Sequence, residues 1–333
     1  MCIRDRSHGI TLFVSVQDPE GYRFVDWSTP SADITISSPE TAGTFITATS
    51  GPAVVNANFE KIYNLTVTAS IPEANLSPSG TVVVVEDVPE AISVDVPEGY
   101  RFLNWTVTSG SASIDNPLLL STEVTLSSED ATVRANFERI YTLTLESDLP
   151  EAIFDPASPI IVAHGTAQAI SVSIPEGYNF VNWTVTTGTA YIVNPDVTAT
   201  SVILTTGDVT LKANFELKEY QLDLVAEGAA SVTFTPPSPI IVRHGISQTI
   251  SVSLPTGYSF GGWTVEFGEV EINDPASTTT DVILTSGNAI IKAGFIKVVE
   301  VTGVSIPNAS MKIGDIISAT ISVSNDANLP YLF

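Results

Sequence analysis

Cysteine is all but missing from the chain: Cys2 is the only one in 333 residues. A lone thiol closes no disulfide within the chain and builds no cysteine-rich metal site, so stability must come from packing, as in many exported bacterial proteins. Basic residues are scarce too. Thirteen Lys and Arg face 37 Asp and Glu, a formal charge of −24 at pH 7. A polyanion of this kind is repelled by phosphate backbones, which excludes nucleic acid as a partner. The acids are scattered singly, with no D-x-[DN]-x-[DN]-G spacing, so they serve solubility rather than cation binding. No apolar run approaches the ~18 residues of a membrane span. The longest, such as Val82 to Val85, are strand-sized, and the fragment is not membrane-spanning on this reading. Long Ala, Leu, Glu and Lys stretches with a 3.6-residue period are missing as well, which removes helical architectures.

What remains is β-forming. The hydrophobic share is 44%, enough for a folded chain. Thr, Val, Ser and Ile dominate the segments between turns, and these residues suit pleated, half-buried backbone. The opening Met1-Cys2-Ile3-Arg4-Asp5-Arg6 is similar to a translated transposase adapter from a sequencing library. Residues 1–7 are therefore set aside as an artefact, as a fusion scar would be.

The main fact is a repeat. Pro19-Glu20-Gly21-Tyr22 returns as Pro97-Glu98-Gly99-Tyr100, Pro175-Glu176-Gly177-Tyr178 and Pro255-Thr256-Gly257-Tyr258, so the tyrosines stand 78, 78 and 80 residues apart. Five residues after each tyrosine comes Trp27, Trp105, Trp183 or Trp263, and twelve after each tryptophan comes Pro39, Pro117, Pro195 or Pro275. The closing Phe59, Phe137, Phe215 and Phe295 keep the same spacing. Four landmarks kept in one register four times mark a tandem array, and a missed period would misassign the fold.

The units read as 61–138, 139–216 and 217–296, preceded by a partial unit at 8–60. His8 aligns with Glu86, which stands 25 residues into its unit, so the first unit lacks its opening two strands and is expected to be open-edged. Strands in the second unit are placed at Tyr63 to Thr68, Thr81 to Val85, Ala91 to Val96, Tyr100 to Thr108, Ser113-Ile114, Glu123 to Leu126 and Ala131 to Phe137. Short strands with a turn signal every 8–12 residues indicate small antiparallel sandwich- or barrel-like units. Proline and φ-permissive glycine assign Gly21, Gly99, Gly177 and Gly257 to a tight structural turn. After Phe295 the composition changes, and 297–333 reads as the start of a different, Ig-like β-domain, with alternating Ala319, Ile321 and Val323.

The assembled pattern is Tyr-x-Leu-Thr-Val, Pro-Glu-Gly-Tyr-x-Phe-x-x-Trp, Asn-Pro, and a closing Thr-Val-x-Ala-Asn-Phe. It resembles the divergent internalin B-type repeats, the Listeria–Bacteroides repeat group of large bacterial cell-surface proteins, over residues 8–296. The chain departs from it by extra residues around 109–130 and by Gly261-Gly262 before the last tryptophan. The resemblance implies an extracellular or cell-surface stalk, adhesin or appendage of a secreted enzyme. It also brings a β-grasp alternative for the fold, although no helical period is present to supply the helix.

Trp27, Trp105, Trp183 and Trp263 are the candidate site. Aromatics on a β-module stack on sugars, and four in register would add avidity. Leu103, Trp105 and Val107 alternate on one face, however, and a tryptophan flanked by aliphatics belongs to a core. The opposite parity of Tyr100 and Phe102 implies a bulge or a strand packed on both sides. His8, His164 and His244 occupy one equivalent turn in separate units, where they do not converge on a metal. The turn carboxylates Glu20, Glu98 and Glu176 lack the second acid and the cleft that catalysis needs. No Gly-x-Ser-x-Gly elbow or phosphate loop occurs. Asn104-Trp-Thr106 and Asn182-Trp-Thr184 match a glycosylation sequon by coincidence, inside a packed strand. The sequence thus predicts no catalytic, cofactor or metal residues. It predicts a non-catalytic spacer in an adhesin-like protein, with surface glycans or host and cell-surface proteins as the partners of a binding alternative. Direct run-on from Phe-Glu into Tyr141 or Tyr220 implies restricted bending between units.

Overall fold

The computed structural model describes residues 9–50, 54–298, 301–305 and 320–323. Every regular element among them is a strand. Two compact units are present. One comprises Met1–Leu143, Ile161–Ala167 and Ile203–Val209; the other comprises Thr144–Ile160, Gln168–Val202 and Thr210–Phe333.

In the first unit, the second repeat is the complete example. Its opening strand is the later half of Asn56–Ala69, where buried Tyr63, Leu65 and Val67 alternate with outward Asn64, Thr66 and Thr68. A period of two lays one face on a core and leaves the other to water. The strand lies between Gly80–Val85 on one side and Ala131–Ser147 on the other, and Tyr100–Ser109 completes the sheet beyond Ala131–Ser147. The outer pairings are antiparallel. The central one is parallel, running from Leu65↔Ala131 to Ala69↔Ala135. Parallel neighbours cannot be joined by a hairpin, so the rest of the repeat forms the crossover.

That crossover carries a second, antiparallel sheet of Asn75–Ser77, Glu90–Asp95, Ser121–Thr125 and Ser113–Ile114. Leu65, Val67, Val133 and Ala135 from the first sheet meet Ile92, Val94 and Val124 from the second, with Trp105 and Leu126 in the same cluster. Two sheets thus bury their apolar faces on each other, which is a sandwich. The expectation of an all-β array holds, with one difference of detail: the larger sheet is mixed and not purely antiparallel. A β-grasp unit would lay a helix on such a sheet; here the second sheet takes that place.

In the second unit, the fourth repeat has the same plan. Ile240–Arg243, Glu219–Glu227, Ala289–Lys297 and Tyr258–Phe267 form the mixed sheet, with Leu222↔Ala289 to Glu227↔Gly294 as its parallel centre. Phe234–Thr235, Gln248–Val252, Thr279–Ile283 and Glu271–Ile272 form the smaller one.

The first repeat has a three-stranded small sheet of Ile10–Ser15, Gly43–Ala48 and Ile34–Ile36 among the described residues. Its tryptophan strand, Tyr22–Ser28, pairs with the early half of Asn56–Ala69. One continuous strand therefore closes the first repeat and opens the second. Ala131–Ser147 likewise runs without a break past the 138/139 boundary read from the sequence. Residues 1–7, read as adapter-derived, lie outside the described residues. So does most of the segment 297–333, read from the sequence as the start of an Ig-like domain, where Val301–Ser305 and Thr320–Val323 form an antiparallel pair.

Candidate functional site

The tryptophan strand is shaped by a bulge. In the second repeat Phe102 faces Phe137 and Asn104 faces Asn136, so Leu103 is unpaired. Val25, Val181 and Gly261 are passed over in the same way in the other repeats. An inserted residue reverses the alternation, and this turns both Phe102 and Trp105 toward the core. The shared face expected for Leu103 and Trp105 is thereby corrected: Leu103 is 43% exposed and Trp105 is 2% exposed. Val107 keeps the tryptophan's side, opposite buried Val133, yet is 37% exposed. A second register shift in the fourth repeat turns Phe267 outward, opposite Ile290.

Each tryptophan is then tied at two points. Its backbone N–H donates to the carbonyl of the proline twelve residues on, at 2.8 Å in all four repeats. The indole Nε1–H of Trp27, Trp105, Trp183 and Trp263 donates to the carbonyl of Thr41, Leu119, Val197 and Ser277, at 3.0, 3.0, 3.2 and 2.9 Å. A buried indole needs such an acceptor, and the backbone bond to the proline carbonyl is the structural counterpart of the fixed Trp-to-Pro spacing. Phe102 stands edge-on between Trp105 and Phe137, with ring centroids 6.0 and 5.6 Å away. All four tryptophans are buried.

Glycine serves the turn that precedes this strand. Tyr22, Tyr100, Tyr178 and Tyr258 donate their N–H to the carbonyl of the proline three residues earlier, at 3.0–3.2 Å, and the glycine between them has φ of 77° to 82°. An L-residue rarely adopts that conformation. The carbonyls of Gly21, Gly99, Gly177 and Gly257 accept from Ile62, Ile140, Lys218 and Val298 at 2.7–2.9 Å. The turn thus grips the chain where it leaves its repeat.

At the first three of these junctions the next repeat's opening tyrosine finds a partner on its own turn. Tyr63 Oη donates to Glu86 Oε1 at 3.1 Å; Tyr141 and Tyr220 lie 3.4 and 3.3 Å from Nδ1 of His164 and His244. His8 lies outside the described residues. The closing asparagine is a cross-strand hub. Asn136 Nδ2 donates to Asn104 Oδ1 and Thr106 Oγ1, Asn214 repeats this with Asn182 and Thr184, and Asn58 uses Asp26 and Ser28. The sequon residue Asn104 is thus already engaged within its sheet. In the fourth repeat Gly262 faces Gly294 at this pair, so both partners are absent together, which gives the Gly261-Gly262 departure a physical setting.

A further contact escaped sequence reasoning. Asp130, just before the closing strand, accepts from the Asn64 backbone N–H at 2.8 Å and from its side-chain amide at 3.0 Å. Asp208 does the same for the N–H of Thr142, and Asn288 for that of Gln221. The bonds from the Asn64 backbone and side chain hold the Asp130 carboxyl below its ordinary value. A depressed folded-state pKa gives stability that is full above the unfolded pKa and is lost as pH falls through the folded one. Asp130→Ala is therefore expected to lower the urea midpoint at pH 7 and to flatten its decline below about pH 5. Asp130→Asn, which copies the fourth repeat, should keep most of the midpoint and lose the pH dependence. A midpoint for Asp130→Ala that falls with acid as steeply as in the parent would contradict this.

Two other surface features stand out. Phe13 and Phe45 face each other across the first repeat's small sheet with centroids 5.2 Å apart, both more than half exposed, and Thr11 and Thr47 are hydrogen-bonded beside them. Corresponding outward positions carry Ala91 and Glu123 in the second repeat, and Thr249 and Asp281 in the fourth. An open pocket of about 480 Å³ is lined by Asn179, Glu216, Leu217, Glu219 and Arg243. Where the first two repeats pair Arg23 with Glu60 and Arg101 with Glu138, the third sets Asn179 opposite Glu216, and the arginine is absent.

The divergent InlB B-repeat domain matches residues 4–63, 63–141, 155–219 and 220–299. The chain belongs to that family. The four matched stretches contain the groups just described: the buried tryptophan, its proline acceptor and the gripping glycine, with the asparagine hub in the first three. Among solved structures, the chain is similar to the TIE protein of Bacillus anthracis, with 12% identity, a TM-score of 0.27, and coverage of 87% of this chain and 68% of that one. It is also similar to the pilus adhesin SpaC of Lactobacillus rhamnosus GG in its open conformation, with 9% identity and a TM-score of 0.20. That match covers 88% of this chain and 55% of the adhesin. No curated protein sequence matches the B-repeat chain.

Proposed function

We propose that this B-repeat array is a non-catalytic structural spacer in a secreted or surface-attached bacterial adhesin-like protein. The observation that carries the reading is the uninterrupted strand at the junction. Asn56–Ala69 and Ala131–Ser147 pass from one repeat into the next with no linker residues between, and the turn glycines bond the crossing point. A spacer needs order at its joints, and at these two the joint is itself a paired strand; at the third, Lys218 alone separates Val209–Leu217 from Glu219–Glu227. The tryptophans support it as well, because each is consumed in holding its own repeat together. Units of 61–138, 139–216 and 217–296, after a partial 8–60, remain the proposed working division.

Hydrogen exchange on the whole chain tests this. Amides of residues 60–64 and 138–142 are expected to exchange as slowly as those of Leu65 and Val133, because opening a joint would require breaking a central strand. Fast exchange confined to the joints would describe beads on a flexible string and would sink the spacer reading.

A second reading, binding of surface glycans or of a cell-surface protein, is favoured by Phe13 and Phe45 alone, since exposed rings rimmed by hydroxyls suit a sugar face. Glycan-array binding that disappears in a Phe13→Ser, Phe45→Ser double variant would establish it. Binding that survives the double change would remove these rings from the argument.

A further inference from the structure

The two strands by which the chain enters and leaves a repeat are hydrogen-bonded neighbours running in the same direction. In the second repeat five consecutive pairs join them, from Leu65↔Ala131 to Ala69↔Ala135. In the fourth there are six, from Leu222↔Ala289 to Glu227↔Gly294. Each pair lies in the middle of its sheet, flanked by an antiparallel strand on either side. Tension on the chain pulls the opening strand backwards by its N-terminal end and the closing strand forwards by its C-terminal end. For parallel strands those pulls are opposed along the strand axis, so the bonds of the pair are loaded together and none can open ahead of the rest. Were the pair antiparallel, the same tension would act at one edge and part the bonds in turn.

We infer that a repeat with this pair, as in the second and the fourth, is a mechanical clamp, and that bearing tensile load along the chain is a function of this array beyond setting distance. The inference builds on the spacer reading. Two further observations fit it. The leading edge of the pair is pinned by Asp130 on Asn64 and by Asn288 on Gln221, at the point where sliding would begin. At the first junction, load leaving one repeat enters the next through a single strand, Asn56–Ala69, so no slack segment lies in the force path.

The test is single-molecule stretching of the full chain carrying Cys2→Ser, held by its two ends. Each 78-residue unit that gives way releases roughly 270 Å of extended chain, less its folded length. The comparison pull moves one handle to a cysteine at exposed Glu129, placed there as Glu129→Cys. Force then enters the second repeat at the start of the opening strand and leaves just before the start of the closing strand, so the same pair is peeled from one edge. Rupture of the second repeat is expected at several-fold higher force in the end-to-end pull. Asp130→Ala should lower the force of one end-to-end event and Asp130→Asn should restore it, with tryptophan emission confirming that both variants are folded. Equal rupture forces in the two pulling directions would overturn the clamp while leaving the spacer standing. Unprotected joints in hydrogen exchange would remove the spacer without touching the force ratio.

Discussion

Replacing Trp105 with alanine is expected to remove about 3–5 kcal/mol from the second repeat, most of what a small domain holds in reserve. Three losses coincide. The largest fully buried side chain of that core disappears, Phe102 loses the ring it leans on, and the Leu119 carbonyl loses the indole N–H. The core cannot close over the gap, because Trp105 is held on a bulged strand whose neighbour Asn104 is fixed to Asn136. Urea unfolding followed by circular dichroism checks this, and the three remaining tryptophans report on their own repeats. Trp105→Phe keeps most of the volume and loses the hydrogen bond, so its cost should be smaller by half or more. A midpoint for Trp105→Ala close to that of the parent would mean that the indole is not part of the stabilising core.

The second large effect is expected from a small residue. Gly110 has φ of 71°, and a Cβ there would stand 1.9 Å from the Asp130 carbonyl oxygen and 2.9 Å from the Ala131 Cα. Both obstacles are backbone, and they belong to the start of the closing strand. Gly110→Ala therefore adds a strained φ, worth about 1–3 kcal/mol, to an overlap that costs a comparable ~1–3 kcal/mol. Gly99→Ala separates the two contributions. Gly99 has φ of 78° with open space around its missing Cβ, so that variant carries the strain alone. The difference between the two midpoints measures the overlap. Equal midpoints would show that the closing strand moves aside freely, which would also weaken the case for a clamp anchored there.

Much of the fold could be read from the residues because the signals were local. Tyr63, Leu65 and Val67 alternate with polar neighbours, and the strand they announce is present; Pro97-Glu98-Gly99-Tyr100 announces a turn, and the turn is present. Asn75–Ser77 was hidden by the Ser-Pro-Ser-Gly stretch that begins at Ser77 and reads as loop, although Asn75, Leu76 and Ser77 pair with Asp95, Val94 and Ser93. The bulge at Leu103 left a trace, the conflicting parity of Phe102 and Trp105, but alternation alone could not say which side yields. Parallel pairing of Leu65 with Ala131 has no local signature, since the partners stand 66 residues apart. Asp130, Asp208 and Asn288 do recur 66, 66 and 67 residues after Asn64, Thr142 and Gln221, yet a polar residue beside a turn is unremarkable until its partner is known. Phe13 and Phe45 were missed because two phenylalanines in alternating strands look like core. Only the pairing Phe13↔Phe45 places both on the outer face.

Because Asn56–Ala69 finishes one repeat and begins another, the period copied in the sequence and the piece that folds are different objects. Cutting the gene at a period boundary would divide a strand and leave each half without its neighbour. A protein engineer excising one module should therefore keep a half-strand beyond the boundary at both ends. For duplication the same feature is permissive: any stretch one period long, wherever it starts, can be inserted in frame and still meet matching half-strands on both sides.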